Sequence, residues 1–306
     1  MRPGQVSDAS GADFGAGETD AGAYVTRTAC GGVMLAPSVV AEFTGAEMPA
    51  GWTVTPYAEG GTGVIGHGRL SLDGARVGSD VVFRGPPRVL DFRATFAARP
   101  DQLAGFGIDY VQAPWVTFST KWGRRLYART HHVLLEDKRL PGSWLGETHD
   151  FRIEWNLLDI NFDIDGERVA HLLVPVPGYA RAVVANQRVG GPPLEVEWVR
   201  VSPYAATGTF TSRVLDAGSG AGVEWTEATW TATVPEGTAL DLSVRTGEDG
   251  RAGREWSQWR PLPGPGATVG GASRYLQYRV AMATDDVGRT PVLREIAFGH
   301  RDHPEG

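Results

Sequence analysis

One cysteine, Cys30, in 306 residues removes every internal disulfide framework. No recognisable base accompanies it, so the thiol lacks a nucleophile's setting. No run approaches the roughly 20 consecutive apolar residues of a spanning helix, and membrane insertion is not expected. The opening, MRPGQVSDASGADFGAGETD, has no apolar core of a signal peptide. Either the protein is cytoplasmic or this is a segment of a longer exported protein, extracellular or at a cell surface; the linker-like opening favours the segment. The formal net charge is −7 with no basic cluster, which argues against nucleic acid and anionic membrane as partners. No Gly-rich loop opens a helix, so a nucleotide site has no support. No amphipathic helical pattern stands out anywhere.

What remains is strand and turn. Gly at 41, Pro at 20 and Trp at 10 combine turn-formers with aromatic strand-formers, an all-β composition. The clearest stretch is His149 to Val169, HDFRIEWNLLDINFDIDGERV. Phe151, Ile153 and Trp155 alternate with Arg152, Glu154 and Asn156. Leu158, Ile160, Phe162 and Ile164 then alternate with Asp159, Asn161, Asp163 and Asp165, and Asp165-Gly166 makes a turn. Two period-2 runs closed by Asp-Gly predict strands with one buried and one wet face. Similar alternation recurs over 89–97, 105–111, 115–122, 125–132 and 194–204. Strands at this spacing predict a sandwich or jelly roll. The pattern restarts after Ala205 to Gly208. The expected organisation is therefore a linker-like segment over 1–41, a jelly roll over 42–205 and a smaller β-sandwich over 206–300, with His300 to Gly306 a disordered tail.

The central stretch resembles the strand pair of concanavalin A-like lectin/glucanase domains, which include family 16 glycoside hydrolases and laminin G-like modules. The residues that carry the likeness are His149, Phe151, Ile153 and Trp155, then Ile160, Phe162, Ile164, Asp165 and Gly166. A closing strand, Val196-Glu197-Trp198-Val199-Arg200-Val201, matches the family's last strand. The resemblance implies a concanavalin A-like jelly roll over about 42–204. The hydrolases of that family carry Glu-x-Asp-x-Glu or Glu-x-Asp-x-x-Glu on one strand of the concave sheet. Retaining hydrolysis needs two carboxyl groups about 5–5.5 Å apart. Ahead of the central stretch, 105–111 offers only Asp109 and 115–132 offers no acid at all. Asp163-Ile164-Asp165 and Glu195-Val196-Glu197 lie on strands that are not catalytic in the family pattern, and both read as solvated strand faces. The second half (SRVLDAG, PEGTALDLSVRTG, WSQW, SRYLQYRV, TPVL) resembles accessory β-sandwich modules of bacterial extracellular proteins.

Sugar binding on a sheet uses aromatic rings against the pyranose face and charged groups on the hydroxyls. The polar faces of the middle strands offer Asp109, Trp115, Thr117, Tyr127, Arg129 and His131. The competing expectation is a face covered by loops, with Trp115 and Tyr127 packed beneath. His131, His132, Glu136 and Asp137 have metal-ligand chemistry, but adjacent strand residues point to opposite faces. Asp163 and Asp165 have oxygen ligands suited to calcium, yet the hairpin turn explains them; otherwise no cofactor is expected. Trp256 and Trp259 are either a ligand platform or packing in the second module. The function expected is a non-catalytic carbohydrate-binding or adhesive module of a bacterial secreted or cell-surface protein. The alternatives are a glycoside hydrolase or lyase with an unrecognised acid pair, and a structural spacer without ligand.

Overall fold

The computed structural model describes residues 4–28, 31–121, 124–218, 223–251 and 256–302; Cys30 lies outside them. Two compact units divide the chain, one of Pro37–Pro203 and one of Met1–Ala36 with Tyr204–Gly306.

The larger unit is a jelly-roll sandwich of two antiparallel eight-stranded sheets. The front sheet runs Leu135–Arg139, Arg125–His131, Trp115–Lys121, Gln102–Gly107, Tyr179–Asn186, Ala75–Ser79, Trp52–Pro56, with Phe83–Arg84 also on Tyr179–Asn186. The back sheet runs Glu167–Leu172, Ile160–Ile164, Thr148–Trp155, Arg88–Thr95, Leu194–Tyr204, Arg69–Asp73, Thr62–Gly66, with Pro37–Glu42 also on Leu194–Tyr204. Alternation sends one face of each sheet inward. From the back sheet come Phe92, Phe151, Ile153 and Phe162; from the front, Phe106, Val116, Phe118 and Ala128, all buried. Phe118 meets Phe151 at 4.9 Å and Phe162 at 5.1 Å between ring centroids, both edge-on, so the two sheets interlock through aromatic contacts.

The central stretch forms Thr148–Trp155 and Ile160–Ile164, paired from Phe151 opposite Ile164 to Trp155 opposite Ile160. Asp165 and Gly166 turn the chain, both at positive φ. Leu158, expected on the inward face, sits in the preceding turn and is exposed, because the strand begins only at Ile160.

The smaller unit is a second β-sandwich of two six-stranded sheets. Its first surprise is the N-terminus, expected to be linker. Gly4–Asp8 pairs with the strand Val292–Asp302 from Gly4 opposite His300 to Asp8 opposite Ile296. A one-turn helix, Gly11–Gly15, follows behind a Ser10–Asp13 capping box. Few apolar residues are needed for this. Phe14 is fully buried edge-on against Phe210, and Val33, Met34 and Leu35 are buried in the same core. The main contribution is backbone pairing to a distant strand, which composition cannot register. Asp8 is wholly buried, and its carboxylate accepts from Arg213 at 2.7 Å and from the Tyr278 hydroxyl at 2.8 Å. The other end differs too, since the last strand continues to Asp302, past the expected start of the tail at His300. Trp256 is buried, whereas the half-buried Trp259 stacks against the guanidinium groups of Arg245 at 4.6 Å and Arg279 at 4.2 Å.

Candidate functional site on the front sheet

The site expected from the sequence lies on the outer face of the front sheet. Register places Trp115 opposite His131, Thr117 opposite Arg129, Ser119 opposite Tyr127 and Lys121 opposite Arg125. Directly opposed residues share a face, so these side chains stand on the same side of the sheet. On the next strand Asp137 is opposite Arg129 and Arg139 opposite Tyr127.

Half of this face is closed. Leu103, Val183 and Ala185 form a small apolar cluster with Tyr110 and Trp115, and Tyr57 packs against it. The strand expected over 105–111 stops at Gly107, and the chain turns back over the sheet. Tyr110, at φ +60°, is buried, and its hydroxyl donates to the Val183 carbonyl at 2.5 Å. Gly107 makes room for that ring, since a Cβ there would lie 2.8 Å from it. The Tyr57 hydroxyl donates to the Asp109 carbonyl at 2.7 Å and pins the loop. Asp109 is thereby removed from the sheet face. Its carboxylate accepts from the Val111 amide at 2.9 Å and the Gln112 amide at 3.1 Å, an Asx arrangement that closes the loop on itself. Trp115 is only 6% exposed, so its ring is a floor of the cluster and offers no free stacking surface.

The other half is open and polar. The Arg129 guanidinium lies 5.2 Å from the Trp115 ring, and the His131 ring stands edge-on to the same indole at 5.5 Å. Arg129 donates through Nε to Asp137 at 2.6 Å and through Nη1 to the Ser119 hydroxyl at 3.2 Å. Lys121 also bonds Asp137, and its ammonium lies 5.5 Å from the Tyr127 ring. Burial alone would raise the Asp137 carboxyl, but the bonds from Lys121 and Arg129 outweigh it and hold the group below its usual range. Asp137 is thus an ionised, acceptor-only centre between two donors. Tyr127, Arg129 and His131 come together as expected; Asp109 does not join them, and Trp115 joins only from beneath.

Lys121, Ser119 and Asp137 complete the group, and sequence reasoning gave none of them this role. Leu135–Arg139, LEDKR, shows no apolar alternation because it is an edge strand with little to bury, so its register was not readable. The front-sheet strands hold two carboxylates, Glu136 and Asp137, both on Leu135–Arg139. Being adjacent, they point to opposite faces, so these strands present a single outward carboxylate.

The acids of the back sheet are committed elsewhere. Asp163 and Glu154 both bond Arg168, and Glu195 bonds Arg69 at 2.8 Å while Glu197 bonds Arg93 at 3.1 Å. Asp165 accepts from the Asp150 amide at 2.9 Å and bonds the His149 ring at 2.7 Å. Asp163 and Asp165 thus each bond a neighbouring strand of the sheet.

No protein-family model matches the chain, and no curated protein matches it. Solved structures similar to it include a glycoside hydrolase family protein from Mycobacterium thermorestibile, 15% identical, with a TM-score of 0.42, covering 54% of this chain and 99% of that one. An endo-beta-1,3-glucanase from Pyrococcus furiosus is 15% identical, with a TM-score of 0.42 and coverage of 56% and 94%. A prokaryotic beta-1,3-1,4-glucanase (lichenase) from a mouse hindgut metagenome is 14% identical, with a TM-score of 0.39 and coverage of 54% and 98%. Likeness at this level carries no activity across.

Proposed function

We propose that this chain engages a polysaccharide on the open half of the front sheet, as a binding or adhesive module of a secreted or cell-surface protein. The supporting observation is the group Tyr127, Arg129, His131 and Asp137 on one outer face, next to a half closed by its own loop. A saccharide needs donors and acceptors held in place and a ring for its apolar face. Arg129 and Lys121 donate, Asp137 accepts, and Tyr127 replaces the buried Trp115 as the accessible ring. Migration through gels loaded with a panel of polysaccharides tests this. Retardation by at least one polymer, reduced in Tyr127→Ala and Arg129→Ala, is the expected result. Unretarded migration with every polymer would leave the structural spacer as the better reading.

A second reading is cleavage of that polysaccharide, and the ionised Asp137 on the open face is the observation in its favour. Release of reducing ends, abolished by Asp137→Asn, would establish it. Binding without cleavage is favoured because a retaining site needs a second carboxyl group about 5–5.5 Å away, and the front-sheet strands present one outward carboxylate.

A further inference from the structure

The chain is acidic overall, yet one strip of it is not. Lys121, Arg125, Arg129 and Arg139 share the outer face of the three strands Trp115–Lys121, Arg125–His131 and Leu135–Arg139, and Asp137 is the carboxylate among them. Four cations stand against one acid, on a molecule whose formal net charge is −7. Asp137 is shared by Lys121 and Arg129. Arg125 and Arg139 are exposed and have no ion-pair partner among the described residues. Arg125 and Arg129 are four residues apart on one strand, about 13 Å at the usual rise. Tyr127 lies between them with Arg139 directly opposite, so the ring is flanked by guanidinium groups on three sides. Beyond Arg125 the strip meets a hollow of about 130 Å³ lined by Arg124, Arg125, Ser143 and Trp144.

Like charges gathered on a sheet repel one another, and they are tolerated at low cost when water or an anion screens them. Guanidinium groups pair with carboxylate and sulfate through parallel N–H donors, a geometry a lone ammonium lacks. We infer that this strip is a binding site for an acidic polysaccharide, one carrying carboxylate or sulfate groups along its length. The inference rests on the polysaccharide reading above and specifies its ligand. Asp137 favours a saccharide over nucleic acid, because its carboxylate can accept from sugar hydroxyls, which a polysaccharide carries along its whole length and a DNA strand lacks. Tyr127 offers one ring, where single-stranded nucleic acid calls for a succession of stacking platforms.

Binding of the full chain to polygalacturonate, dextran sulfate, uncharged dextran and an oligothymidylate tests the assignment, alongside the neutral polymers of the panel. The expected result is that polygalacturonate or dextran sulfate binds at least about tenfold tighter than any neutral polymer. That affinity should fall by about tenfold or more when salt rises from about 0.05 M to about 0.5 M. Arg125→Ser with Arg139→Ser should lower it by a similar factor, while Arg93→Gln on the back sheet should leave it unchanged. Dextran sulfate binding without polygalacturonate would identify sulfate as the group recognised, and the converse carboxylate. Equal binding of a neutral polymer, unmoved by the double substitution, would overturn the charge assignment and leave the polysaccharide reading standing. Failure to bind any polysaccharide would overturn both, and tighter binding of the oligothymidylate would make nucleic acid the ligand.

Discussion

The outer faces of the two sheets in the larger unit use the same residue types to opposite ends. On the back sheet cations and acids alternate and interlock. Arg152 bonds Asp91 at 2.9 Å and Glu154 at 3.1 Å, Arg168 bonds Glu154 and Asp163, and Arg93 bonds Asp150 at 2.9 Å and Glu197 at 3.1 Å. Each charge there is used by a neighbour, and a ligand would have to displace a partner. On the front sheet the cations outnumber the acid, and half the face is covered by apolar packing. Charge on the back sheet is balanced within the scaffold, whereas the front-sheet strip carries it in local excess. That contrast can be broken at either sheet.

The largest effect is expected at Arg152, which sits at the centre of the back-sheet lattice with Asp91 and Glu154 on either side. Burial works against its charge, but those two carboxylates more than compensate and raise its pKa. Arg152→Met would leave both acids without it and should cost about 2–4 kcal/mol, read as a lower urea midpoint with unchanged polysaccharide retention. A loss of retention in this variant would mean that the two faces are not independent.

Tyr110→Phe comes next. It deletes the bond to the Val183 carbonyl, with an expected cost of about 1–2 kcal/mol. If the loop over 108–114 is only a cover, retention should persist. Increased retention would show that the cover hides part of the binding face.

Arg129→Ala should move the two readouts apart. Its stability cost, about 1 kcal/mol for a partly exposed pair and a stacking contact, is expected to be smaller than its effect on retention, about tenfold or more. Lys121→Met, at a more exposed position, should shift stability by no more than about 0.5 kcal/mol. A larger loss would mean that Asp137 depends on Lys121 more than on Arg129.

Acid should weaken the back-sheet lattice. Burial opposes ionisation of Glu154, but Arg152 and the neighbouring donors hold its pKa below the ordinary value. At Asp165 burial is likewise outweighed by the Asp150 amide and His149. A carboxyl lowered in the fold adds stability that is fully present above its unfolded value, about 4, and that is lost as pH falls through the lower folded value. The urea midpoint should therefore fall below about pH 4. The fall should be shallower in Arg152→Met, where Glu154 has already lost its principal partner. An unchanged slope would remove Arg152 as the cause of the lowered Glu154.

The alternation in 149–169 was legible because a sheet covered on one face writes a period of two into the sequence. Phe151, Ile153, Trp155, Ile160, Phe162 and Ile164 are all buried, as that period requires. The inward and outward sets of Trp115–Lys121 and Arg125–His131 were readable for the same reason. Legibility failed where packing did not follow a local pattern. Tyr110 continues the apparent alternation of 105–111, yet it belongs to a loop whose place is decided by Val183, more than seventy residues away. Gly4–Asp8 has almost no apolar signal, and its order comes from a strand at the opposite end of the chain.

The all-β architecture, the inward faces of the central strands and the residue types available for recognition can all be read along the chain. These are local properties, set by side-chain alternation and turn chemistry. Long-range packing sets the rest: Trp115 is covered, Asp109 turns into its own loop and the N-terminus completes the second sandwich. The same packing also sets where charge collects. Lys121, Arg125, Arg129 and Arg139 are spread over three strands, so no basic cluster is visible along the chain, and hydrogen-bond register alone brings them onto one face.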